Sequence, residues 1–295
     1  MTGTDELLTV TSLCKTFALP GGGRVKAVDD VSFSLPKGGS LGIVGESGSG
    51  KTTVARMLVG LVQPDSGSIT VAGAQRWPEP SGRKGGPRAR AAARLRRARE
   101  IQIVFQDPYV SLDPRLTAAQ ALRGALKLHG ERDKAAAARR VTELLTQVGL
   151  GAAEANARPH TMSGGQRQRL AIARALAVDP AVLVLDEAVA ALDVSIQAQI
   201  LLLLEEIRRD TGVALVFVSH DLAVVQHITD ESVVMRNGRV VERGPTRKVL
   251  DSPEDPYTQR LLASVPHPGW DPGQPPTSSR RHLAPPRTPN TRNLL

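Results

Sequence analysis

The sequence has 295 residues, and its 38 lysines and arginines against 29 aspartates and glutamates give a formal net charge of +9. Hydrophobic residues make up 41% and charged residues 23%, which is ordinary for a globular protein and excludes a mostly disordered chain. Aromatic residues make up 3%, which disfavours a reader of single-stranded nucleic acid that stacks bases on aromatic rings. The one cysteine, Cys14, excludes an internal disulfide framework and a cysteine-rich metal site. No apolar run approaches the roughly 18 residues that cross a bilayer, so we expect no membrane span.

The positive charge is concentrated in two segments. Residues Gly82–Arg99 include eight basic side chains and no acidic one, and residues 266–295 carry a net charge of +3. Eight of these last thirty residues are prolines, which predicts a disordered Pro/Arg-rich tail. We interpret the basic segment 82–99 as a solvated face, with contact to acidic lipid headgroups or nucleic acid as the alternative.

Short β-branched runs alternate with helical patterns along the chain. In chain order, the first part of the pattern predicts a strand at Leu41–Val44, a helix at Thr52–Leu61, a loop at Gln75–Arg90, a helix at Ala91–Glu100 and a strand at Ile101–Phe105. Three helices follow, at Ala118–Leu128, Lys134–Val148 and Gln166–Ala177. The last part predicts a strand at Val182–Leu185, a helix at Ile196–Arg208, a strand at Val213–Val218 and a hairpin within Val233–Val241. This alternation indicates an α/β fold with a parallel sheet covered on both faces, interrupted by a small helical subdomain.

The segment Gly45–Thr52 matches the phosphate-binding pattern G-x-x-x-x-G-K-[ST] at every fixed position, between a predicted strand and a predicted helix. Its glycines allow backbone N–H groups to surround phosphate oxygens, Lys51 reaches the outer phosphates, and the Thr52 hydroxyl can ligate Mg²⁺. The residues predicted to bind a nucleotide here are Gly45, Glu46, Ser47, Gly48, Ser49, Gly50, Lys51, Thr52 and Thr53.

A pair of carboxylates follows the strand Val182–Leu185. Asp186 is assigned to Mg²⁺ and Glu187 to the attacking water, which it would orient and deprotonate. The alternative is that these acids only cap the next helix, which suits a lone aspartate better than an adjacent pair.

A second anion-binding device is Ser163-Gly164-Gly165-Gln166 at the start of a predicted helix. Here the sequence resembles the ATP-binding-cassette (ABC) ATPases, whose signature is LSGGQ, with Met162 in place of the leading leucine. In that family the signature of one subunit closes over the phosphate loop of a second subunit in a head-to-tail dimer. The resemblance implies an α/β P-loop NTPase fold: a RecA-like parallel-sheet core, an N-terminal antiparallel β subdomain and an inserted α-helical subdomain that carries the signature.

The other motifs of that family fall in the expected order. By resemblance, Gln106 matches the glutamine loop, which senses Mg²⁺ and couples to the membrane partner, Asp193 matches the D-loop, and His220 matches the switch histidine. Phe17 lies where the family stacks an aromatic ring on adenine, although an apolar side chain at a strand end is as often part of a core. The resemblance thus gives Glu187, His220 and Gln106 as catalytic, Phe17 as adenine-binding, and Thr52, Gln106 and Asp186 as ligands of Mg²⁺.

Three segments resemble one branch of the family, the oligopeptide, dipeptide and nickel importers. They are Phe105–Arg115 (FQDPYVSLDPR), Asp186–Ser195 (DEAVAALDVS) and Ser252–Leu262 (SPEDPYTQRLL). The cysteine-rich iron–sulfur segment of many members is missing here. The implied division is an ABC ATPase domain over 1–250 with a helical subdomain over about 112–178, an importer-type motif at 251–265 and the tail at 266–295.

The resemblance implies an ATPase, with ATP and Mg²⁺ as cofactors, that powers the import of di- or oligopeptides. Its expected partners are two multi-span permease subunits, a second ATPase subunit (a copy or a paralogue) and, indirectly, an extracytoplasmic solute-binding protein. It would lie peripherally on the cytoplasmic face of the inner membrane, with no direct contact to nucleic acid. Two alternatives are the same machinery for nickel or another small solute, and a soluble ABC ATPase that acts on ribosomes or nucleic acid through segment 82–99.

Overall fold

The computed structural model of the protein describes residues 6–78 and 86–264. The predicted tail at 266–295 and the first part of the basic segment 82–99 lie outside the described residues. The strands of the described part are β1 (Glu6–Ala18), β2 (Arg24–Pro36), β3 (Ser40–Val44), β4 (Ser66–Val71), β5 (Ala74–Trp77), β6 (Ile101–Phe105), β7 (Val182–Asp186), β8 (Ala214–Ser219), β9 (Glu231–Arg236) and β10 (Arg239–Pro245). The helices are α1 (Lys51–Leu58), α2 (Pro87–Glu100), α3 (Ala118–Leu128), α4 (Lys134–Gln147), α5 (Ala152–Asn156), α6 (Gly164–Leu176), α7 (Val194–Thr211), α8 (Leu222–Ile228), α9 (Thr246–Asp251) and α10 (Pro256–Ala263).

The strands form two sheets. The larger sheet has the order β10-β9-β3-β8-β7-β6, and all of its pairings are parallel except that of β10 with β9. The smaller sheet has the order β2-β1-β4-β5 and is antiparallel. Helices α3 to α6 fall between β6 and β7 in the sequence, so a helical segment is inserted between two strands that pair directly in the sheet. This is the expected mixed α/β architecture with an antiparallel β subdomain.

The parallel strands are buried on both faces, which explains their near-continuous apolar sequences. On one face Val182, Val184, Leu41 and Ile43 pack with α1 and the antiparallel sheet. On the other face Leu183 and Leu185 pack with side chains from α3 to α8. The period-2 alternation of each strand thus supplies two separate cores.

Most predicted elements agree with the structure to within a few residues, and the Asn237-Gly238 hairpin is confirmed between β9 and β10. The loop prediction for Gln75–Arg90 was wrong at both ends. Residues 75–77 pair with β4 as part of β5, and α2 begins at Pro87, where a proline suits the first helical turn. The antiparallel strands β1, β2 and β4 were not assigned individually from the sequence, and the pairings of β1 with β2 and with β4 carry bulges.

Arg208 at the end of α7 joins three segments. Its guanidinium donates to the Gly38 carbonyl at 2.9 Å and to Ser40 Oγ at 2.6 Å, and it pairs with Asp230 at 2.9 Å. These bonds attach α7 to the start of β3 and to the residue just before β9. They fix the N-terminal ends of the strands whose other ends form the site below.

We expect Arg208→Met to lower the free energy of unfolding by about 1–3 kcal/mol, because it keeps the aliphatic stem and removes several charge-assisted bonds. The matched control is Arg209→Met, since Arg209 is exposed and pairs with its neighbour Asp210. The control should change stability by less than about 0.5 kcal/mol. Urea denaturation of both variants measures the difference, and equal stability losses would contradict the assigned role of Arg208.

Candidate functional site

The predicted site residues meet at one edge of the parallel sheet. The register pairs Phe105 with Asp186, Asp186 with Val218, and Val44 with Ser219. The carboxyl ends of β3, β6, β7 and β8 therefore lie side by side, and a predicted motif follows each of these strands. Gly45 follows β3, Gln106 follows β6, Glu187 follows β7 and His220 follows β8. In open α/β sheets this edge is where ligands bind.

The loop between β3 and α1 needs glycine at two positions for close backbone contact. Gly45 has φ +148°, and a Cβ there would lie 2.2 Å from the Met235 carbonyl oxygen. Gly50, the N-cap of α1, has φ +105°, and its Cβ would lie 2.3 Å from the Ala27 carbonyl oxygen. Any side chain at these positions would push the loop off the strands beneath it. The glycines of the motif thus serve the packing of the loop as well as its opening to phosphate.

Lys51 is the most constrained charge of the loop. Its side chain is buried, and its Nζ donates to the carbonyl oxygens of Gly45 and Glu46, both at 2.8 Å. Burial lowers the pKa of Lys51, while the nearby carboxylates of Glu187 and Asp186 act in the opposite direction. The ammonium group is therefore held inside the loop by backbone oxygens.

Thr52 and Asp186 form the oxygen pair that was predicted to hold Mg²⁺. The Thr52 hydroxyl donates to Asp186 Oδ1 at 3.1 Å, and Asp186 is buried. Burial raises the pKa of Asp186, and the hydrogen bond from Thr52 opposes that shift. A hydroxyl and a carboxylate at this distance suit the oxygen preference of Mg²⁺. Among residues 6–78 and 86–264, no group of three or more histidine, cysteine, aspartate or glutamate side chains could hold a metal ion.

Glu187 contacts His220, whereas its neighbour Asp186 contacts Thr52. Its backbone has φ +51°, a conformation that non-glycine residues rarely adopt, and its N–H donates to the Val218 carbonyl at 2.9 Å. Its Oε1 lies 3.3 Å from Nδ1 of the exposed His220. The Glu187 carboxylate and the His220 imidazole thus form a pair on the solvent-exposed side of the site.

Gln106 is exposed immediately after β6, beside the strand that ends in Asp186. The segment that follows contacts the signature helix, because the Arg167 guanidinium lies 4.7 Å from the centre of the Tyr109 ring. The glutamine segment and α6 are therefore physically connected.

The signature residues form the start of α6. Ser163 is the N-cap, its Oγ accepts the Gln166 N–H at 3.2 Å, and Gln166 Oε1 accepts the Ser163 N–H at 2.9 Å. A Cβ on Gly165 would lie 2.7 Å from Ile196 Cγ2, whereas one on Gly164 would lie 3.5 Å from Leu192. Gly165 is thus needed for packing against α7.

The last two predicted site residues are Asp193 and Phe17. Asp193 is the N-cap of α7 and accepts the Ile196 N–H at 2.9 Å. Phe17 near the end of β1 is 38% exposed, so it is not part of the core, and Lys15 Nζ lies 5.5 Å from the centre of its ring. The ring is therefore accessible, and its stacking on adenine stays a prediction.

Two contacts to the phosphate loop were missed from the sequence. The Tyr257 hydroxyl in α10 accepts the Glu46 N–H at 3.1 Å, and the Gly238 N–H of the β9–β10 turn donates to the Ser49 carbonyl at 3.0 Å. The sequence indicates the Asn-Gly turn and the PYT segment, but neither pattern indicates a position beside the loop.

In the described part of the chain, no helix has the length and apolar character needed to cross a membrane.

A protein-family model described as ABC transporter matches residues 28–190. The oligopeptide transport ATP-binding protein OppF of Bacillus subtilis is 43% identical over 269 residues, which cover 91% of this chain and 85% of that protein. The glutathione import ATP-binding protein GsiA of Salmonella paratyphi A is 46% identical over 89% of this chain, which spans 41% of that longer protein. Among solved structures, the ATP-binding cassette MJ0796, dimeric and bound to ADP and Pi, matches with a TM-score of 0.69 at 27% identity, over 82% of this chain and 99% of that chain.

We expect Lys51→Ala to weaken nucleotide binding by about ten- to hundredfold, because it removes the charge that the loop holds for phosphate. The matched control is Lys37→Ala, in the exposed turn before β3. Titration of a fluorescent ATP analogue measures both variants. An unchanged dissociation constant for Lys51→Ala would contradict the assignment of the loop.

Proposed function

The chain belongs to the ABC transporter family as one of its ATP-binding cassettes, and on this premise we propose that it binds ATP with Mg²⁺ and hydrolyses it to power the import of di- or oligopeptides. One arrangement carries the proposal. Lys51 and the Thr52–Asp186 pair lie at the same sheet edge as the Glu187–His220 pair. A phosphate-holding cation, a metal-binding oxygen pair and a base are the parts that phosphoryl transfer requires.

We assign each step at this edge to a residue of the chain. The backbone N–H groups of the loop and Lys51 bind the phosphates, and the N-terminus of α1 adds its positive dipole. Glu187 accepts the proton of the attacking water, and His220 orients the Glu187 carboxylate and contacts the outer phosphate. Ser49 supports phosphate binding as well, since its buried hydroxyl has no hydrogen-bond partner among the described residues.

Mg²⁺ would be held by the Thr52 hydroxyl and by Asp186, with Gln106 as the third proposed contact. When bound, the ion neutralises charge that develops on the phosphate oxygens. Thr52 and Asp186 already face each other across 3.1 Å, so the chain presents both oxygens with little rearrangement.

We propose that two cassettes pair head to tail, so that Ser163, Gly164, Gly165 and Gln166 of one subunit close over the nucleotide of the other. Asp193 would lie at that interface, and Phe17 would stack on the adenine. The cassette MJ0796, which is dimeric with ADP and Pi bound, supports the pairing of two cassettes by likeness.

Peptide is proposed as the cargo because the relatives OppF and GsiA are named for the transport of oligopeptides and of glutathione. The direct partners would be two multi-span permease subunits, reached through the Gln106 segment, with a solute-binding protein outside the membrane. The chain would thus lie at the cytoplasmic face of the inner membrane. The contact between Tyr109 and Arg167 offers a path from that segment to the signature helix.

We expect Glu187→Gln to lower the turnover rate by about 10²- to 10⁴-fold and to leave ATP binding intact, because the amide keeps the shape but cannot accept the proton. The variant should also accumulate as an ATP-bound dimer in size-exclusion chromatography. Glu206→Gln on the exposed surface of α7 is the matched control and should hydrolyse ATP at the parental rate. Undiminished hydrolysis by Glu187→Gln would remove Glu187 from the role of base.

The transport role is tested by a tagged pull-down of the Glu187→Gln variant from the native host, with ATP and mild detergent. We expect two multi-span permease subunits to co-purify, with or without a second cassette, and genes next to theirs to indicate the cargo. Recovery of ribosomes or nucleic acid without a membrane protein would contradict the transport role. That outcome would favour an interaction through segment 82–99.

A further inference from the structure

The last described helix reaches the phosphate loop directly. Tyr257, the second residue of α10, is only 4% exposed, and its hydroxyl accepts the backbone N–H of Glu46 at 3.1 Å. We propose that Tyr257 is a positioning residue for nucleotide binding, which holds the first peptide group of the phosphate loop through this hydrogen bond. The inference rests on the proposed function, since its effect is read as nucleotide affinity.

The peptide group between Gly45 and Glu46 is held from both sides. Its carbonyl oxygen, on Gly45, accepts a hydrogen bond from Lys51 Nζ at 2.8 Å. Its N–H, on Glu46, donates to the Tyr257 hydroxyl. Because carbonyl and N–H belong to one rigid plane, rotation of this peptide would break both bonds together. Tyr257 therefore acts on the position of Lys51 without contacting it.

The same peptide group is packed against β9. The Gly45 backbone lies so close to the Met235 carbonyl that a Cβ would come within 2.2 Å of that oxygen. The next residue, Arg236, places its guanidinium 5.0 Å from the centre of the Tyr257 ring. The end of β9 thus contacts both the loop and the tyrosine that holds it.

Tyr257 is itself held in place before it meets the loop. Its own N–H donates to Asp255 Oδ1 at 2.7 Å, which caps α10. The Glu242 carboxylate on β10 accepts the N–H groups of Glu254 at 2.8 Å and of Asp255 at 3.2 Å. The ring is part of the apolar core. A hydroxyl fixed in this way loses little entropy when it bonds the loop, so the bond is effective in ordering Glu46.

The segment 251–265 therefore has a physical connection to the nucleotide site. Its α10 connects the loop to β10, the edge strand of the parallel sheet. The bond comes from a side chain far away in sequence, 211 positions from Glu46.

The first test is Tyr257→Phe, which keeps the ring and removes only the hydroxyl. We expect the dissociation constant for a fluorescent ATP analogue, measured on the full chain, to rise about three- to tenfold, which corresponds to the loss of one hydrogen bond. The matched control is Thr258→Val in the same helix, because the Thr258 hydroxyl is buried with no hydrogen-bond partner among the described residues. That variant should bind as the parent does. The thermal midpoint of each variant is recorded to compare their folding.

The second test repeats Tyr257→Phe in a Lys51→Ala protein. If Tyr257 acts by holding the peptide that positions Lys51, the added change should leave the already weak affinity unaltered. Equal weakening in both backgrounds would overturn the inference, because a general loosening of the fold does not depend on Lys51. Parental affinity in the Tyr257→Phe single variant would overturn it as well. A parent protein that binds no nucleotide would instead contradict the proposed function itself, before any variant is compared.

Discussion

The Lys51 ammonium lies buried at the start of α1, where water contributes little to its solvation. A buried charge is tolerated only when polar groups replace the lost water, and here the carbonyl oxygens of Gly45 and Glu46 do so. Those carbonyls can point inwards only because the loop is tightly curved at Gly45 and Gly50. The carboxylates of Glu187 and Asp186, at the end of β7, add a favourable electrostatic interaction. The loop carbonyls and the two carboxylates together replace the water that this cation loses on burial.

Both sheets and the end of the described chain contribute to that loop. The antiparallel sheet supplies Ala27, whose carbonyl faces Gly50, and β9 supplies Met235, whose carbonyl faces Gly45. The β9–β10 turn donates to Ser49, and α10 accepts from Glu46. The loop is therefore anchored from several directions, while a Cβ on Gly48 would meet nothing within 4 Å, so this part of the loop is open. Rigid support with an open concave side is what a preorganised anion site requires.

The location of the candidate site could be predicted from the sequence because local patterns encode it. The phosphate loop, the Asp186–Glu187 pair and His220 each follow an apolar run, and parallel strands bring such endings to one edge. The sequence could not reveal which distant groups would hold the loop. The Tyr257 contact depends on how α10 packs. The loop prediction for Gln75–Arg90 was wrong at its start because β5 pairs with β4. Phe17 is exposed, yet exposure alone does not establish stacking on adenine. Contacts between elements distant in sequence lack a periodic signal.

Two adjacent side chains reach different surroundings only when the backbone turns between them. Asp186 completes β7 and is buried facing Thr52, whereas Glu187 adopts φ +51° and faces His220. A left-handed glutamate costs about 1 kcal/mol or more, and such strain persists only where the surroundings impose it. The Glu187 N–H is bonded to the Val218 carbonyl, so β8 imposes this turn. The strain thus gives two neighbouring carboxylates separate environments, with Asp186 buried beside the Thr52 hydroxyl and Glu187 beside the exposed His220 imidazole. This separation would allow one strand end to supply both the proposed metal ligand and the proposed base.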